Sequence, residues 1–584
     1  MRLPNHWKLR SPDPALTERL TRRNDLHGVL ATLLVNRGHD EPEAVATHLA
    51  ASPQGLHDPG LLDGMEAATE RLERALAQGE TILVHGDYDV DGVTGSTLLM
   101  RLFRLLGARA VWHIPNRLVH GYSFGAHSVE RALAEKASVV ISVDNGTSAF
   151  DTIAELREHG IETIVTDHHE PPAAHPVHGA LPPATAIVNP KLAGSQYPCP
   201  ELCGGAVAFK LAWGLCQRVS GTQRVRPELK RFLEDCMAYV AIATVCDVVP
   251  LEGENRIFAR WGLKALEGSR NPGLMALLEV CKLDGRALTA EDVAFQVGPR
   301  INASGRLGGA DKAVACLLAE DPWEARRHAE ELDALNQRRK EIEAGVLQEA
   351  LVAAEPYQDP HEHPVLVLAG EGWHQGVVGI VAARLVERFA RPVVVVGLDG
   401  AEGRGSARSV PGFSVHAALE GGAELADRWG GHAQAAGLEI RAERIDAYRE
   451  LVCARTKELL GDAGAFPPER LDIDAELPLP ALDEALMRHI ERLEPCGAGN
   501  EKPVFLSRGA RLAEPPRRVG ADASHLMLRL ADGAADFRAM AFGLGARADE
   551  LALGRPLDVV YTPRWNTFRG RTNLELTLHD FRAG

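Results

Sequence analysis

Three aspartates at alternate positions follow a short apolar segment near residue 80. The stretch TILVHGDYDVDGVTG (81–95) contains Asp87, Asp89 and Asp91. Side chains two apart in an extended chain share one face, so these carboxylates would repel one another unless cations lie among them. An aspartate-rich turn that caps the next helix is the alternative, because Asp and Gly suit turns. These residues alone leave both interpretations open.

The same arrangement follows two further apolar segments. ASVVISVDNGTS contains Asp144, and IETIVTDHHE contains Asp167, His168 and His169. One acid could cap a helix, but Asp and His at three strand ends of one domain are harder to explain structurally. Carboxylates with imidazole suit Mn²⁺ or Mg²⁺, and the absence of nearby cysteines argues against a structural zinc site. We therefore predict a site for a pair of these divalent ions.

Parallel strands must position these side chains. Short β-rich segments alternate with helical ones, which predicts a helix-flanked parallel sheet. Ligands of such sheets bind beyond the carboxyl ends of the strands. The predicted strands are TILVHG, ARAVWHIP, ASVVISVD, IETIVTD and TAIVNP.

A chain of 584 residues is too long for one hydrophobic core. We expect an α/β protein with a long helix between two α/β bodies and a small β-barrel at the end. The expected divisions are a helical lead-in at 1–75, a catalytic domain at 76–320, the connecting helix at 321–356, a second α/β domain at 357–464 and the barrel at 465–584.

The net charge of −16 argues against indiscriminate binding of polyanions. The last 80 residues differ, with twelve arginines against nine carboxylates. Within PRWNTFRGRTN (563–573), Arg564 and Arg569 alternate with Trp565 and Phe568, a pattern typical of surfaces that stack unpaired bases. A hairpin edge protected by charges would look similar.

Other function classes are disfavoured by composition. No apolar stretch approaches the roughly 20 residues of a membrane helix, and the opening MRLPNHWKLRSPDP lacks the apolar core of a signal peptide. Nine scattered cysteines without a CxxC pair fit a reducing compartment. We expect a cytoplasmic protein with no membrane contact.

The ordered motifs HGDYDVDG, VDNG, TDHH and CDVVPL resemble those of the DHH phosphoesterases. GPRINASGRL (298–307), GWHQGVVGIVAARL (372–385), GRGSARS (403–409) and GGHAQAAG (430–437) resemble the RecJ branch with its DHH-associated domain. LEPCGAGNEKPVF (493–505) and the Arg-rich tail resemble its OB-type domain. The likeness covers essentially all of the chain from about residue 80. The implied fold is a DHH parallel-sheet domain, a long helix, a DHH-associated α/β domain and an OB-type β-barrel.

The resemblance implies roles for the acidic and imidazole side chains. The implied ligands are His85 and Asp89 for the first ion, Asp91, His168 and Asp247 for the second, and Asp144 bridging both. His169 would face the scissile phosphate. Asp87 and Asp167 would orient ligands through hydrogen bonds.

Substrate-binding roles are predicted for further polar residues. Ser406 and Arg408 offer a hydroxyl and a bidentate fork to a phosphate, and His432 lies where glycines let a backbone approach closely. The 298–307 segment is expected to be a loop that wraps an anion, with an arginine-bearing solvated surface as the alternative. The predicted set is Arg117, Arg300, Asn302, Arg306, Ser406, Arg408, His432, Arg564, Trp565, Phe568 and Arg569.

The resemblance implies a metal-dependent exonuclease that degrades single-stranded DNA 5′→3′ to 5′-mononucleotides in repair and recombination. It also implies a single-strand-binding protein and a helicase as partners, and we expect a monomer. One alternative is a DHH phosphodiesterase of short oligoribonucleotides or cyclic dinucleotides, which would not need the β tail. Another is an inactive relative acting as a scaffold on DNA, which would not need the intact ligand positions.

Overall fold

The computed structural model describes residues 6–120, 124–172, 175, 177, 179–461, 464–467, 470–520, 522–568 and 570–584. The chain divides into two compact units. One is Leu56–Pro467, and the other joins Met1–Gly55 to Pro468–Gly584. No helix in the described ranges combines the length and the apolar character needed to cross a bilayer.

The sequence predicts one helical lead-in at residues 1–75, but the structure places residues 1–55 in a different unit from residues 56–75. Buried leucines of this segment, including Leu20, Leu30 and Leu34, share a core with Leu526 and Tyr561 of the C-terminal strands. The apolar sides of these short helices are therefore covered by the last part of the chain. The elements are β1 (His6–Leu9), α1 (Pro14–Asn24), α2 (Gly28–Asn36) and α3 (Pro42–Ala50).

The larger unit begins with α4 (Met65–Gln78) and a five-stranded parallel sheet. All five predicted strands are present. The elements are β2 (Thr81–His85), α5 (Val90–Leu105), β3 (Arg109–His113), α6 (Arg117–His120), α7 (Ala126–Ala134), β4 (Val139–Val143), α8 (Phe150–Glu158), β5 (Glu162–Thr166) and β6 (Ala186–Val188).

The strand order of this sheet, β3-β2-β4-β5-β6, locates its binding edge. The chain leaves β2 for β3 on one side and then crosses to β4 on the other. The order therefore reverses at β2 and β4, and open α/β sheets bind ligands beyond the carboxyl ends of the strands at such a point.

A helical layer follows. Its members are α9 (Gly204–Ser220), α10 (Pro227–Cys246), α11 (Gly253–Glu267), α12 (Pro272–Cys281), α13 (Ala290–Asp292), a π-helical turn (Val293–Val297), α14 (Gly298–Arg306) and α15 (Asp311–Leu318).

A buried ion pair fastens this layer together. Lys210 of α9 and Glu254 of α11 lie 2.5 Å apart with both side chains fully buried. The carboxylate of Glu254 also accepts hydrogen bonds from the hydroxyl of Tyr197 at 2.5 Å and the backbone N–H of His57 at 2.8 Å. Buried charges are tolerated only with such partners, so this network fixes the segment around His57 against both helices.

Replacing Lys210 with methionine should lower the free energy of unfolding by about 3–5 kcal/mol, because Glu254 would stay buried without a cation. Urea denaturation followed by circular dichroism measures the decrease. Lys230→Met, at an exposed position of α10, is the matched control and should change stability by no more than about 0.5 kcal/mol. Equal effects of the two substitutions would contradict the role of the pair.

The predicted connecting helix is present as α16 (Pro322–Ala353), which Asp321 caps by accepting a hydrogen bond from the backbone N–H of Glu324. A second α/β domain follows. Its elements are β7 (Leu366–Glu371), α17 (Val378–Phe389), β8 (Val393–Asp399), β9 (Glu402–Arg408), α18 (Val415–Leu419), β10 (Ala426–Gly431), β11 (Ala435–Arg441) and α19 (Ile445–Leu460). The strands form a mixed sheet of order β10-β11-β9-β8-β7, and most of the segment GRGSARS lies on β9.

The C-terminal part of the smaller unit is a β-barrel. The elements are β12 (Arg470–Ile473), β13 (Ala475–Glu476), α20 (Glu484–Ile490), β14 (Phe505–Leu512), β15 (Arg517–Val519), β16 (His525–Asp532), β17 (Ala535–Ala541), β18 (Leu557–Phe568) and β19 (Arg571–Ala583). Strand β14 pairs with both β18 and β16, which closes β14, β18, β19, β17 and β16 into a ring. Five is the strand number of an OB fold. Strand β12 pairs in parallel with β1.

Candidate functional site

The predicted acidic and imidazole residues lie at the carboxyl edge of the first sheet, where the strand order reverses. The aspartates of the first motif follow β2, Asp144 follows β4, and the segment Asp167–His169 follows β5. Asp247 caps the C-terminus of α10. The side chains of Asp91, Asp144 and Asp167 are buried. These acidic and imidazole side chains therefore meet at one edge of the sheet, and the buried ones among them are poorly hydrated.

One imidazole stands at the centre of three carboxylates. Nε2 of His168 lies 3.1 Å from Oδ1 of Asp144 and 3.7 Å from both Oδ2 of Asp91 and Oδ2 of Asp247. Burial and the positive charge of neighbouring His169 lower the pKa of His168 to about 4. The ring is therefore neutral, and these contacts are not ion pairs. A neutral imidazole facing three carboxylates is a ligand set for a divalent cation.

Backbone contacts orient the two aspartates on either side of Val90. Asp91 accepts hydrogen bonds from the N–H groups of Gly204 and Gly205, both at 2.6 Å, at the start of α9. Asp89 caps α5 by accepting from the N–H groups of Asp91 and Gly92. The alternative of an aspartate-rich capping turn is thus correct for Asp89, which can cap a helix with one oxygen and ligate with the other.

A second group of carboxylates shares Asp144 with the first. Ligand atoms of Asp87, Asp89 and Asp144 lie within 4.8 Å of one another. Oδ1 of Asp144 is buried and has no hydrogen-bond partner among the described residues. Such an atom is expensive to bury unless a cation or a donor satisfies it. Asp144 therefore stands where a bridging ligand would.

His85 is not brought to this group, although the resemblance implied that it holds the first ion. Its ring lies beside His113 and His127 instead, and Asp87 joins Asp89 and Asp144 in its place. The reason is geometric. His85 still belongs to β2, and its ring lies against Phe124. Asp87, two residues beyond the strand, is close to the other carboxylates.

The electrostatics of the site fit divalent cations. Burial, followed by repulsion from Asp89, raises the pKa of Asp87 and of Asp91 to about 7. Burial and the charges of Asp91 and Asp89 raise the pKa of Asp247 to about 8. The pKa of Asp144 is raised well above its ordinary value by burial and by its acidic neighbours. Divalent cations would offset the unfavourable free energy of holding these buried carboxylates together.

His169 differs from its neighbour in both contact and charge. Its Nδ1 lies 2.7 Å from Oδ1 of Asp167. That hydrogen bond raises the pKa of His169 to about 9, so the ring is a cation at neutral pH. Burial favours the neutral form of Asp167, but hydrogen bonds from His169 and Thr147 outweigh it and lower the pKa of Asp167 to about 2. The predicted orienting role of Asp167 agrees with this geometry, and the exposed ring of His169 can donate a proton or a hydrogen bond.

The 298–307 segment is not the predicted loop, because most of it is helix α14, with Pro299 in the first turn. This helix packs directly on the first motif, since a Cβ on Gly305 would collide with the carbonyl oxygen of Tyr88. The side-chain oxygen of Asn302 accepts a hydrogen bond from the N–H of Val90. Asn302 therefore supports the segment that carries the aspartates of the first motif.

Arg300 is committed to internal contacts. It pairs with Asp333 of α16 at 2.9 Å and donates to the carbonyl oxygens of Gln296 and Val280. The expectation that Arg300 binds an anion does not fit these contacts, because its N–H groups already bind Asp333 of α16 and two backbone carbonyl oxygens.

Arg306 belongs to a cluster of arginines. Burial, and repulsion from Arg117, Arg339 and Arg408, lower the pKa of its guanidinium to about 10. Arg117 also lies over the ring of Tyr88, 5.0 Å from its centroid. Clustered guanidinium groups can bind an anion such as a phosphate, but that of Arg339 is already paired with Glu343 at 2.6 Å. Arg339 of α16 was not identified from sequence, because an arginine on a polar helix carries no distinguishing pattern.

Ser406 and Arg408 lie together on β9. Nη1 of Arg408 donates to Oγ of Ser406 at 2.8 Å. A Cβ on Gly379 would lie 3.0 Å from both Oγ of Ser406 and Nη2 of Arg408, so glycine lets the first turn of α17 approach them closely. A helix N-terminus with a hydroxyl and a guanidinium is a favourable place for a phosphate. His432 is exposed in the turn between β10 and β11.

The predicted stacking segment forms the hairpin of β18 and β19. Arg564 lies 3.6 Å from Glu575, and the indole N–H of Trp565 donates to Glu491 at 2.5 Å. These contacts orient the two side chains, which remain partly exposed. The side chain of Phe568 and the whole of Arg569 lie outside the described residues.

Comparison with known proteins extends over both units. The model of the DHH family N-terminal domain matches residues 81–244, the DHHA1 domain model matches residues 362–458, and the RecJ OB domain model matches residues 473–580. The single-stranded-DNA-specific exonuclease RecJ of Dickeya dadantii is 35% identical over 95% of this chain and 96% of its own length. The chain belongs to the RecJ family. The Thermus thermophilus member is 37% identical over 89% of this chain and 71% of its own.

Solved structures of the same family agree with the fold. The crystal structure of RecJ from Thermus thermophilus in complex with Mn²⁺ covers 100% of this chain and 80% of its own, with a TM-score of 0.83 and 33% identity. The complex of that protein with Mg²⁺ covers 99% and 78%, with a TM-score of 0.75 and 30% identity. The expected succession of DHH, DHH-associated and OB-type folds is therefore confirmed.

Proposed function

We propose that this protein is a metal-dependent exonuclease specific for single-stranded DNA, which hydrolyses phosphodiester bonds with two Mn²⁺ or Mg²⁺ ions. The observation that carries the proposal is the carboxylate cluster around His168 and Asp144 at the strand-order reversal of a RecJ-family chain. Relatives of this family are named single-stranded-DNA-specific exonucleases, and solved members are complexes with Mn²⁺ or Mg²⁺.

The two ions would share Asp144. Asp87 and Asp89 would complete the first site, and Asp91, His168 and Asp247 the second. When bound, such a pair lowers the pKa of a water and stabilises the leaving oxygen of a phosphodiester. The chain itself supplies the rest. The cation of His169 faces outward beside Asp144, and Asp167 holds its ring.

The arginine cluster would position the strand. Arg306, Ser406 and Arg408 bind phosphate in this proposal, with Arg117 adding positive charge. A guanidinium in a partly buried site binds phosphate bidentately and more strongly than in water. We further propose 5′→3′ degradation to 5′-mononucleotides, a role in DNA repair and recombination, and a cytoplasmic monomer that works with a single-strand-binding protein and a helicase. These finer features are supported by family resemblance.

The activity and its direction are tested in one experiment. The protein with Mn²⁺ is incubated with single-stranded DNA labelled at the 5′ end or at the 3′ end. Degradation from the 5′ end releases the 5′ label at once as a mononucleotide, while the 3′ label stays on shortening strands. Early release of the 3′ label would contradict the direction. Cleavage of cyclic dinucleotides or short oligoribonucleotides, with DNA left intact, would contradict the substrate.

The barrel unit should govern the affinity for long strands. Because residues 1–55 share its core, the appropriate truncation keeps only Leu56–Pro467. This variant should cleave short oligonucleotides normally but bind long strands more weakly. Its salt dependence should be shallower by about 0.7 in the log–log slope for each phosphate that is no longer neutralised. Steady-state kinetics on short and long DNA at two salt concentrations, after a check of folding, measure both effects.

Full-length variants separate the binding residues from the bulk of the barrel. Trp565→Ala with Arg564→Ala should weaken long-strand binding by about 1–3 kcal/mol for each base that no longer stacks. Arg529→Ala, at an exposed arginine that pairs with Asp536 on the same barrel, is the matched control and should have little effect. Equal decreases on short and long DNA would show that the barrel supports the catalytic unit instead.

A further inference from the structure

Three histidines from separate elements meet at the edge of the first sheet. His85 and His113 end the neighbouring strands β2 and β3 and are register partners, and His127 lies in the first turn of α7. The ring centroids are 5.2 Å apart for His85 and His113, 5.8 Å for His85 and His127, and 5.5 Å for His113 and His127. One nitrogen of each ring lies within 4.8 Å of the others.

The surroundings of this triangle, which we call the histidine triangle, hold its rings in place. The hydroxyl of Ser128 lies 2.8 Å from Nε2 of His85 and 3.3 Å from Nε2 of His127. The ring of Phe124 packs edge-on against His85, with centroids 4.8 Å apart. Since an imidazole has two ring nitrogens, a ring that meets Ser128 through Nε2 can ligate a metal through Nδ1. Outer contacts of this kind orient metal-binding histidines.

The donor set of the histidine triangle differs from that of the carboxylate centre. Three neutral imidazoles suit Zn²⁺, with the fourth tetrahedral position left to water. Mn²⁺ and Mg²⁺ prefer the oxygen-rich centre. His85 is fully buried and the other two rings are half-buried, so an ion can enter from their side. A tetrahedral site needs ligand nitrogens about 3.4 Å apart, so the three rings would move closer together when the ion binds.

We propose that His85, His113 and His127 form a separate site that binds one Zn²⁺ ion. The site binds zinc whether or not the carboxylate centre is intact, because it shares no carboxylate with it.

Zinc stoichiometry tests the site without reference to activity. The full-length protein and the His113→Ala/His127→Ala variant are equilibrated with buffered Zn²⁺, and the bound metal is measured by mass spectrometry. The variant should hold one zinc fewer per chain, and its affinity for that ion should fall by more than the 10–100-fold that removal of an outer contact typically costs. Equal zinc content would overturn the proposal.

A second histidine pair serves as the control for adventitious zinc binding. His27 and His489 form an imidazole pair with centroids 5.3 Å apart, and His27→Ala/His489→Ala should keep the full zinc content. If the alanine variant of the triangle is poorly folded, His113→Phe retains a ring of similar size and gives the same readout. A decrease of zinc in the control equal to that in the test variant would also overturn the proposal.

Mn²⁺-supported cleavage is measured separately. His113→Ala/His127→Ala should cleave normally with Mn²⁺ alone, because neither histidine belongs to the carboxylate centre. Loss of cleavage by this variant would contradict the separation of the two sites. Absence of DNA cleavage by the unmodified protein would contradict the proposed function and leave the zinc measurement as the test of the site.

Discussion

Replacing Asp144 with asparagine should abolish cleavage of single-stranded DNA at every Mn²⁺ concentration while leaving the protein folded. Asp144 belongs to both groups of candidate ligands, so removing its charge should weaken both ion sites at once. The decrease should exceed the roughly 10²–10³-fold that removal of one electrostatic stabiliser typically costs. Excess metal should not restore cleavage, because no shared carboxylate would remain to hold the two ions close together.

Asparagine is the appropriate substitution because of the backbone at this position. The φ angle of Asp144 is 64°, in the left-handed region. Asparagine adopts that region more readily than most residues, whereas alanine would add strain. Single-turnover cleavage and the thermal midpoint are measured together. Asp151→Asn, at an exposed side chain of the same domain, is the control and should cleave normally. Recovery of Asp144→Asn by excess Mn²⁺ would contradict bridging.

Replacing His169 with glutamine should lower the turnover number by about 10²–10⁴-fold, the usual range for a positioned acid or base, with metal affinity largely retained. The ring contacts Asp167 at 2.7 Å and is more exposed than that of His168. A pKa of about 9 keeps the ring charged at neutral pH, where it can stabilise or protonate a phosphate oxygen. The rate at saturating Mn²⁺ and the Mn²⁺ dissociation constant are the two measurements.

A companion substitution distinguishes catalysis from metal binding. Asp167→Asn removes the anion that orients and charges His169, so it should reduce turnover less than His169→Gln but in the same direction. A tenfold or larger decrease of Mn²⁺ affinity in His169→Gln, with a normal rate at saturation, would make His169 a metal-supporting residue. His175→Gln, at a histidine outside the candidate site, is the control.

The local sequence pattern was sufficient to predict the strands of the first sheet and most residues of the candidate metal centre. Short apolar segments that alternate with helical ones predicted all five strands of the first sheet, and parallel strands necessarily present their carboxyl ends at one edge. Asp91, Asp144 and His168 therefore meet although the chain separates them widely. The long helix followed from the composition of residues 321–356 in the same way. The ordered motifs were enough to indicate the family.

Only the tertiary structure decided the contacts of individual side chains. The sequence shows that His85 and Asp87 both belong to the first motif. It does not show that His85 lies with His113 and His127 while Asp87 lies with Asp89. Nor does it show that Arg300 is occupied by Asp333.

The partnership of the first 55 residues with the last part of the chain also lies beyond local pattern. Amphipathic helices such as α1 and α2 need an apolar surface to cover them, and several parts of this chain could supply one. Periodicity determines which side of an element is apolar, whereas the partner that buries that side is set by long-range packing. Here Leu20 and Leu30 are buried in a core with strands that lie about 500 residues later in the chain.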